Sequence, residues 1–200
     1  MITPAIVAVL LAPLVFLQTA APLAPLHAVR GNTLRVDLPG VSSIQVQRDF
    51  RYAGSHRFIL RGVADAEQHA FAAMDATGAI ERFYWFQFES LLPAAKGSYD
   101  YSKDTPLTIA GLPWHGHLRR YTAPPEPDGD QAALYKLFAA KGWRPPLPAL
   151  RARLVYLPNP DRRDELMIIY AEATAAAAQP TAKESAELLQ RAQAGLRLVR

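Results

Sequence analysis

One segment of the chain reads Ile80-Glu81-Arg82-Phe83-Tyr84-Trp85-Phe86-Gln87-Phe88-Glu89-Ser90 and holds five aromatic side chains within six consecutive positions. Aromatic runs of this kind favour a pleated strand over a helix. Successive side chains of a strand point to opposite faces, and neither face of this segment is fully polar. The segment therefore predicts a central strand that is covered on both sides. One face would carry Arg82, Tyr84, Phe86 and Phe88, and the other would carry Phe83, Trp85, Gln87 and Glu89.

Alternating and apolar segments, separated by short turns, surround this strand and predict further strands. Leu134, Leu137 and Phe138 recur at helical spacing and predict a helix. A second helix is expected behind the capping box of Thr181 and Glu184. The predicted strands are 33–38, 44–52, 57–63, 66–74, 80–90, 106–110, 114–121, 151–157 and 166–172, and the predicted helices are 130–141 and 181–199.

This order of elements predicts an α+β fold with a single antiparallel β-sheet of about seven to nine strands. The inserted helix and the C-terminal helix would both pack on the sheet. The late strand pair followed by a closing helix resembles the element order of the PsbP/Mog1-like sandwich. A lipocalin-like β-barrel with a C-terminal helix is the alternative. Both resemblances concern element order and imply no function.

Composition excludes several kinds of chemistry. The 200 residues include no cysteine, which rules out disulfides, thiolate metal ligands and a cysteine nucleophile. The net charge of +4 comes from 22 basic and 18 acidic side chains, without a Lys/Arg run of the kind that binds nucleic acid. Phosphate-binding glycine motifs and the motifs of serine hydrolases are also missing. We therefore expect no catalytic residue of these types, no cofactor and no nucleic-acid partner.

The first 24 residues indicate export. An apolar run from Ala5 to Leu17 is shorter than the roughly 18–20 residues that span a bilayer, and small residues follow it. We interpret 1–24 as a signal peptide with cleavage near Ala20–Ala24, followed by a single α+β domain over 25–200. The mature protein would then be periplasmic or secreted. An uncleaved membrane-tethering helix is the first alternative, and a buried N-terminal core segment is the second.

Polar groups lie at the end of the aromatic strand and in the loop that follows it. Tyr99 and Tyr101 would share one side of this loop, and aromatic rings beside a carboxylate suit sugars, peptides or organic cations. The tyrosines could instead cap the end of the core. A buried Glu89 would have a raised pKa, as a general acid requires, whereas pairing with Arg119 would make it structural. The predicted ligand-binding residues are Trp85, Gln87, Glu89, Tyr99 and Tyr101.

His115 and His117 form the strongest metal-binding pattern in the sequence. Residues two apart project from the same face of a strand, and the intervening Gly116 leaves room around them. Two imidazoles of this kind can hold zinc or copper, with Glu89 or Asp100 as a carboxylate ligand. Two exposed strand histidines without a metal are the alternative.

Together these features predict an exported, non-enzymatic module of the cell envelope. It would bind an unknown small molecule or an envelope protein, and it would meet the membrane only through an uncleaved N-terminal segment. A metal-binding protein or metal-dependent hydrolase that uses His115 and His117 is the first alternative. A membrane-tethered structural or accessory protein is the second.

Overall fold

The computed structural model describes residues 23–127, 129–175 and 179–200, which form two antiparallel sheets and two helices. Helix α1 spans Asp130–Ala139, and helix α2 spans Ala182–Ala194. In chain order the strands are Val29–Arg30 (β1), Thr33–Leu38 (β2), Val41–Val46 (β3), Arg51–Leu60 (β4), Ala64–Met74 (β5), Ile80–Leu91 (β6), Thr105–Ile109 (β7), Leu112–Tyr121 (β8), Ala149–Tyr156 (β9), Asp164–Ala173 (β10) and Leu196–Val199 (β11).

The strands divide into a small and a large sheet. The small sheet has the order β1-β2-β3-β11, and the large sheet has the order β4-β5-β6-β10-β9-β8-β7. Neighbouring strands are antiparallel in both sheets. The α+β class and the antiparallel pairing are therefore confirmed. The large sheet is open, with β4 and β7 at its edges, and does not close into the barrel of the alternative prediction.

The aromatic segment forms β6, which lies between β5 and β10 inside the large sheet. Its alternate residues face two different layers, as the sequence predicts. Tyr84, Phe86 and Phe88 pack in a core that the large sheet shares with the small sheet and α2. Phe83 and Trp85 pack on the opposite face, which α1 covers. The strand is buried on both sides because each layer supplies its own apolar surface.

The prediction of a single sheet is wrong, because the predicted strand 44–52 is two strands that belong to different sheets. β3 ends at Val46, and β4 begins at Arg51. Between them the backbone N–H of Phe50 donates to the carbonyl of Gln47 at 3.2 Å, so the chain turns. Phe50 is buried in the core between the sheets. The apolar pattern therefore continues through the turn although the pairing partners change.

The C-terminal helix is shorter than predicted. Its capping box is present, and the hydroxyl of Thr181 accepts from the backbone N–H of Glu184 at 3.2 Å. The helix ends just before Gly195, and the predicted helical segment Leu196–Val199 instead forms β11 beside β3. A side chain at Gly195 would collide with the hydroxyl of Tyr84 on β6. Glycine therefore lets the chain change from helix to strand in close contact with the large sheet.

Neither helix within the described ranges is long and apolar enough to cross a membrane. The predicted signal peptide, 1–24, lies almost wholly outside the described residues, which begin at Leu23. Export and the extent of the domain over 25–200 stay predictions.

Candidate functional site

A cavity of about 280 Å³ lies between the two sheets, where β5 and β10 begin and β6 ends. We call it the end cavity. The segment before β1, the turn after β2 and the three strand ends all contribute to its wall. Most of the polar residues that line the cavity are Asp or Glu, and none is Lys or Arg. The acidic lining residues are Asp37, Asp65, Glu67, Glu89, Asp164 and Glu165.

Strand alternation separates these carboxyl groups into two sets. Residues paired directly across two strands share a face of the sheet. Glu89 and Glu165 are paired across β6 and β10, and they belong to the face that α1 covers. The other acidic lining residues on β5 and β10 share the opposite face with Phe88 and point toward the small sheet; they are Asp65, Glu67 and Asp164.

Two of the carboxylates that point toward the small sheet have local partners. Asp65 accepts hydrogen bonds of 2.9 and 2.5 Å from the guanidinium of Arg57. Asp164 accepts from the hydroxyl of Ser90 and from the side-chain amide of Asn159, both at 2.6 Å. Ser90 and Asn159 are neutral donors, so they bring no positive charge to the Asp164 carboxylate. A concave surface whose net charge is negative attracts the opposite sign, so the end cavity favours a cation.

His27, Glu67 and His69 form a histidine–glutamate cluster at the end cavity. Glu67 and His69 are two residues apart on β5 and therefore share a face, whereas His27 belongs to the segment before β1. One possible ligand atom from each residue lies within 4.8 Å of the other two. Within residues 23–127, 129–175 and 179–200, this is the one group of three or more such side chains close enough to hold a metal ion.

Glu67 is the centre of this cluster. Its Oε1 accepts from the backbone N–H of His27 at 2.9 Å and lies 2.6 Å from Nε2 of His69. Its Oε2 accepts from the backbone N–H of Leu26 at 2.7 Å. Burial disfavours the charged carboxylate, but the imidazoles of His27 and His69 and the two backbone amides outweigh it. The pKa of Glu67 is therefore well below its usual value, and the side chain is ionised although only 3 % of it is exposed.

The two histidines of the cluster are held from outside it. Nδ1 of His69 lies 3.0 Å from the hydroxyl of Tyr52. The ring of His27 stacks on Phe88, with 3.9 Å between the ring centroids and 19° between the planes. Nδ1 of His27 is buried, has no hydrogen-bond partner among the described residues and lies 3.3 Å from Oε2 of Glu67. Both rings are thus oriented by groups that are not themselves metal ligands.

The predicted ligand-binding residues lie on the face of the large sheet that α1 covers. Gln87 donates a short hydrogen bond to Glu89, and the hydroxyl of Tyr99 donates to Glu89 at 3.0 Å. Tyr101 makes no contact of this kind with Glu89 and donates instead to Glu165, at 2.6 Å. Trp85 is buried in the apolar core on the same face. Of the five predicted residues, Glu89 alone lines the end cavity.

Glu89 and Glu165 are buried neighbours on β6 and β10. Burial raises the pKa of Glu89, and hydrogen bonds from Gln87 and Tyr99 only partly oppose this. Burial, together with the negative charge of Glu89, raises the pKa of Glu165 to about 8. The alternative partner of Glu89, Arg119, instead lies over the ring of Tyr121, 5.5 Å from its centroid.

The histidines of the predicted two-histidine metal site lie on β8. Nδ1 of His117 is 3.6 Å from a carboxylate oxygen of Asp104. The ring of His115 lies 6.0 Å from that of Tyr101. Asp100, a proposed third ligand, is exposed in the loop before β7. The two-histidine site stays a prediction.

Sequence reasoning missed the histidine–glutamate cluster. Glu67 and His69 carry a signal that could have been used, because their spacing of two residues puts both on one face of a predicted strand. His27 carries no comparable signal, since it is 40 residues from Glu67 in the chain. Only the folded structure brings the third side chain to the other two.

No protein-family model, no curated protein and no solved structure matches this chain. The α+β class does not by itself identify a function, because one fold serves many activities. The function must therefore be derived from the end cavity and the side chains around it.

Proposed function

We propose that this protein is an exported, non-enzymatic module of the cell envelope that binds a small, positively charged ligand in the end cavity. The observation that carries the proposal is the lining, which combines carboxylates from both sheets with no Lys or Arg. An amine placed there would form charge-assisted hydrogen bonds, which are stronger than hydrogen bonds between neutral groups.

The size and the apolar part of the cavity favour a short aliphatic ligand. A volume of about 280 Å³ is small compared with the roughly 300–1,000 Å³ of most ligand pockets. Leu26, Leu38, Pro39 and Phe88 supply apolar surface in the same cavity. Methylene groups could contact this surface while the carboxylates bind the charged ends, so a short diamine is the ligand class that we propose.

The proposal of export rests on the apolar segment at the N-terminus. The finer fold that we propose, a PsbP/Mog1-like arrangement, rests on the order of its elements. Mass spectrometry of the mature protein tests export directly. A first residue between 21 and 25 would support cleavage, whereas retention of residues 1–20 would contradict it and favour the membrane-tethered alternative.

Binding of 1,4-diaminobutane, measured by isothermal titration calorimetry with EDTA present, tests the ligand class. We expect saturable binding of the diamine, because two ammonium groups can reach carboxylates on both sheets. 1,4-Butanediol and succinate have the same carbon chain and serve as matched neutral and anionic controls. Equal binding of all three compounds, or no binding of the diamine, would contradict the proposal.

Substitution of a carboxylate by its amide locates the binding site. Asp37→Asn and Asp164→Asn should each weaken diamine binding about five- to tenfold, because a charged hydrogen bond worth about 1 kcal/mol more than a neutral one is lost. Asp49→Asn is the control, since Asp49 is exposed and pairs with Arg82 outside the end cavity. If all three variants bind the diamine equally, the ligand does not occupy this cavity.

A further inference from the structure

We propose that His27, Glu67 and His69 bind a divalent transition-metal ion, with zinc as the ion that suits the ligand set. Two imidazole nitrogens and one carboxylate are a ligand combination that zinc accepts in proteins. The site differs from the two-histidine pair on β8, and it does not depend on the ligand that fills the rest of the end cavity.

The distances within the cluster suit a single ion. Ligand atoms about 2.0–2.1 Å from a tetrahedral zinc are about 3.3 Å from one another. Nδ1 of His27 lies at this distance, 3.3 Å, from Oε2 of Glu67. Nε2 of His69 is closer to the carboxylate, at 2.6 Å from Oε1, which is the distance of a hydrogen bond. A metal ion would take the place of the proton between these two atoms, and the cluster would widen slightly.

His27 supplies a further observation in favour of a metal site. Its Nδ1 is buried and makes no hydrogen bond of good geometry among the described residues, although it lies 3.3 Å from Oε2 of Glu67, where a protonated ring would form an ion pair. Buried polar atoms in folded proteins are nearly always satisfied, and this nitrogen would be satisfied either by a proton shared with Glu67 or by a metal ion. Its ring is fixed by stacking on Phe88 and therefore presents the nitrogen toward Glu67. A metal ion bound between His27 and Glu67 would satisfy it.

Tyr52 is positioned to orient His69. A histidine that ligates a metal through one ring nitrogen usually bonds a second group through the other, which fixes the tautomer. Nδ1 of His69 lies 3.0 Å from the hydroxyl of Tyr52, and this hydroxyl can either donate or accept. In the tautomer that binds a metal through Nε2, the hydrogen is on Nδ1. Nδ1 then donates a hydrogen bond to the hydroxyl of Tyr52. Tyr52 is therefore a positioning residue of the proposed site.

The surroundings give the ion a closed side and an open side. The side chains of Glu67 and His69 are 3 % and 1 % exposed, so water is excluded from their side of the ion. The attraction between the ion and the Glu67 carboxylate is stronger in such a low-dielectric environment. His27 and Glu67 also line the end cavity, which gives an ion access from solvent. Three protein ligands next to a cavity leave one coordination position for water or a small ligand.

Zinc binding is measured with protein that carries no polyhistidine tag, is stripped with a chelator and contains no added diamine. Competition with a chromophoric chelator should give one zinc per chain with a Kd of about 1 μM or lower. His27→Phe keeps the aromatic stacking on Phe88 and removes the nitrogen, so it should weaken zinc binding at least about 100-fold, and Tyr52→Phe should weaken it about tenfold. Cobalt should give the absorption spectrum of a four-coordinate site without sulfur ligands in the wild type, and this spectrum should be lost in His27→Phe.

His115→Phe/His117→Phe is the matched control, because it removes two strand histidines outside the cluster and should leave zinc affinity unchanged. Circular dichroism and the Tm of metal-free His27→Phe should match the wild type, which excludes unfolding as the cause of lost binding. The proposal is overturned if His27→Phe binds zinc as tightly as the wild type. It is also overturned if the β8 double variant loses zinc binding while His27→Phe keeps it. Because diamine binding is measured separately in EDTA, either proposal can fail without the other.

Discussion

At the residue scale, the buried pair of Glu89 and Glu165 is the most unusual feature of the large sheet. The two carboxyl groups are direct neighbours on β6 and β10, and each is held by a tyrosine hydroxyl. Two buried carboxylates cannot both be ionised at low cost, so at least one keeps its proton at neutral pH. We assign this proton to Glu165, because burial and the negative charge of Glu89 raise its pKa to about 8.

This raised pKa predicts that the protein loses stability as the pH rises. Between the usual glutamate value of 4.5 and the folded value of about 8, the folded protein keeps a proton that the unfolded chain has released. The free energy of unfolding should therefore fall from about pH 5 to pH 8, by about 1–3 kcal/mol. Glu165→Gln should remove most of this decrease, because its amide never ionises. Urea unfolding at pH 5, 6, 7 and 8 measures both proteins.

Glu81→Gln is the matched control for this experiment, since Glu81 is exposed on β6. Its free energy of unfolding should decrease with pH as that of the wild type does. If Glu165→Gln has the same pH dependence as the wild type, Glu165 is ionised in the folded protein and the assignment is wrong.

At the scale of the element, the junction between α2 and β11 joins the two sheets. The helix ends at Ala194, and the next residue, Gly195, lies against the ring of Tyr84. The hydroxyl of Tyr84 donates to the carbonyl of Ala192 in the last turn of α2, at 2.8 Å. One tyrosine of the aromatic strand thus fixes where the helix stops and where the final strand begins.

Gly195→Ala should destabilise the protein by about 1–3 kcal/mol, because the added methyl group overlaps the hydroxyl of Tyr84. Tyr84→Phe alone should cost about 1 kcal/mol through the lost hydrogen bond. In the Tyr84→Phe background the alanine should cost at least about 0.5 kcal/mol less than in the wild type, since the overlap with the hydroxyl is gone. Chemical unfolding of the four proteins gives this double-mutant cycle, and additive effects would show that the contact is not the cause.

At the scale of the whole molecule, a shared apolar core holds the small sheet on the large one. The hydroxyl of Tyr156 on β9 donates to the carbonyl of Pro39, in the turn between β2 and β3 of the small sheet, at 2.7 Å. The core between the sheets contains Leu34 and Ile44 from the small sheet, and Leu196 and Leu198 of β11 pack against it. The chain thus returns to the small sheet at its C-terminus, after it has completed the large one.

Deletion of residues 196–200 should lower the free energy of unfolding by at least about 2 kcal/mol, because the packing of two leucines is lost and β3 becomes an unpaired edge. Increased binding of the dye ANS would report the exposed core between the sheets. Deletion of Arg200 alone is the control, since this residue lies beyond β11 and its loss removes only an exposed hydrogen bond from its guanidinium to the carbonyl of Ala110. Equal stability of both truncated proteins and the full chain would contradict a structural role for β11.

Local patterns were sufficient to predict most of the elements. The alternation in β6 predicts a strand covered on both faces, and the capping box at Thr181 predicts the start of α2. Both patterns reflect interactions between residues close in the chain. The end of the helix could not be predicted this way, because Leu196 and Val199 continue the helical spacing and only their pairing with β3 makes them a strand.

The sequence alone determines the aromatic strand and the antiparallel α+β class, because both follow from alternation within short segments. The division into two sheets, the end cavity and the histidine–glutamate cluster depend on tertiary structure. Each of these requires contacts between distant parts of the chain, such as β3 with β11 or His27 with Glu67, and the free energy of such contacts is not encoded in any local pattern.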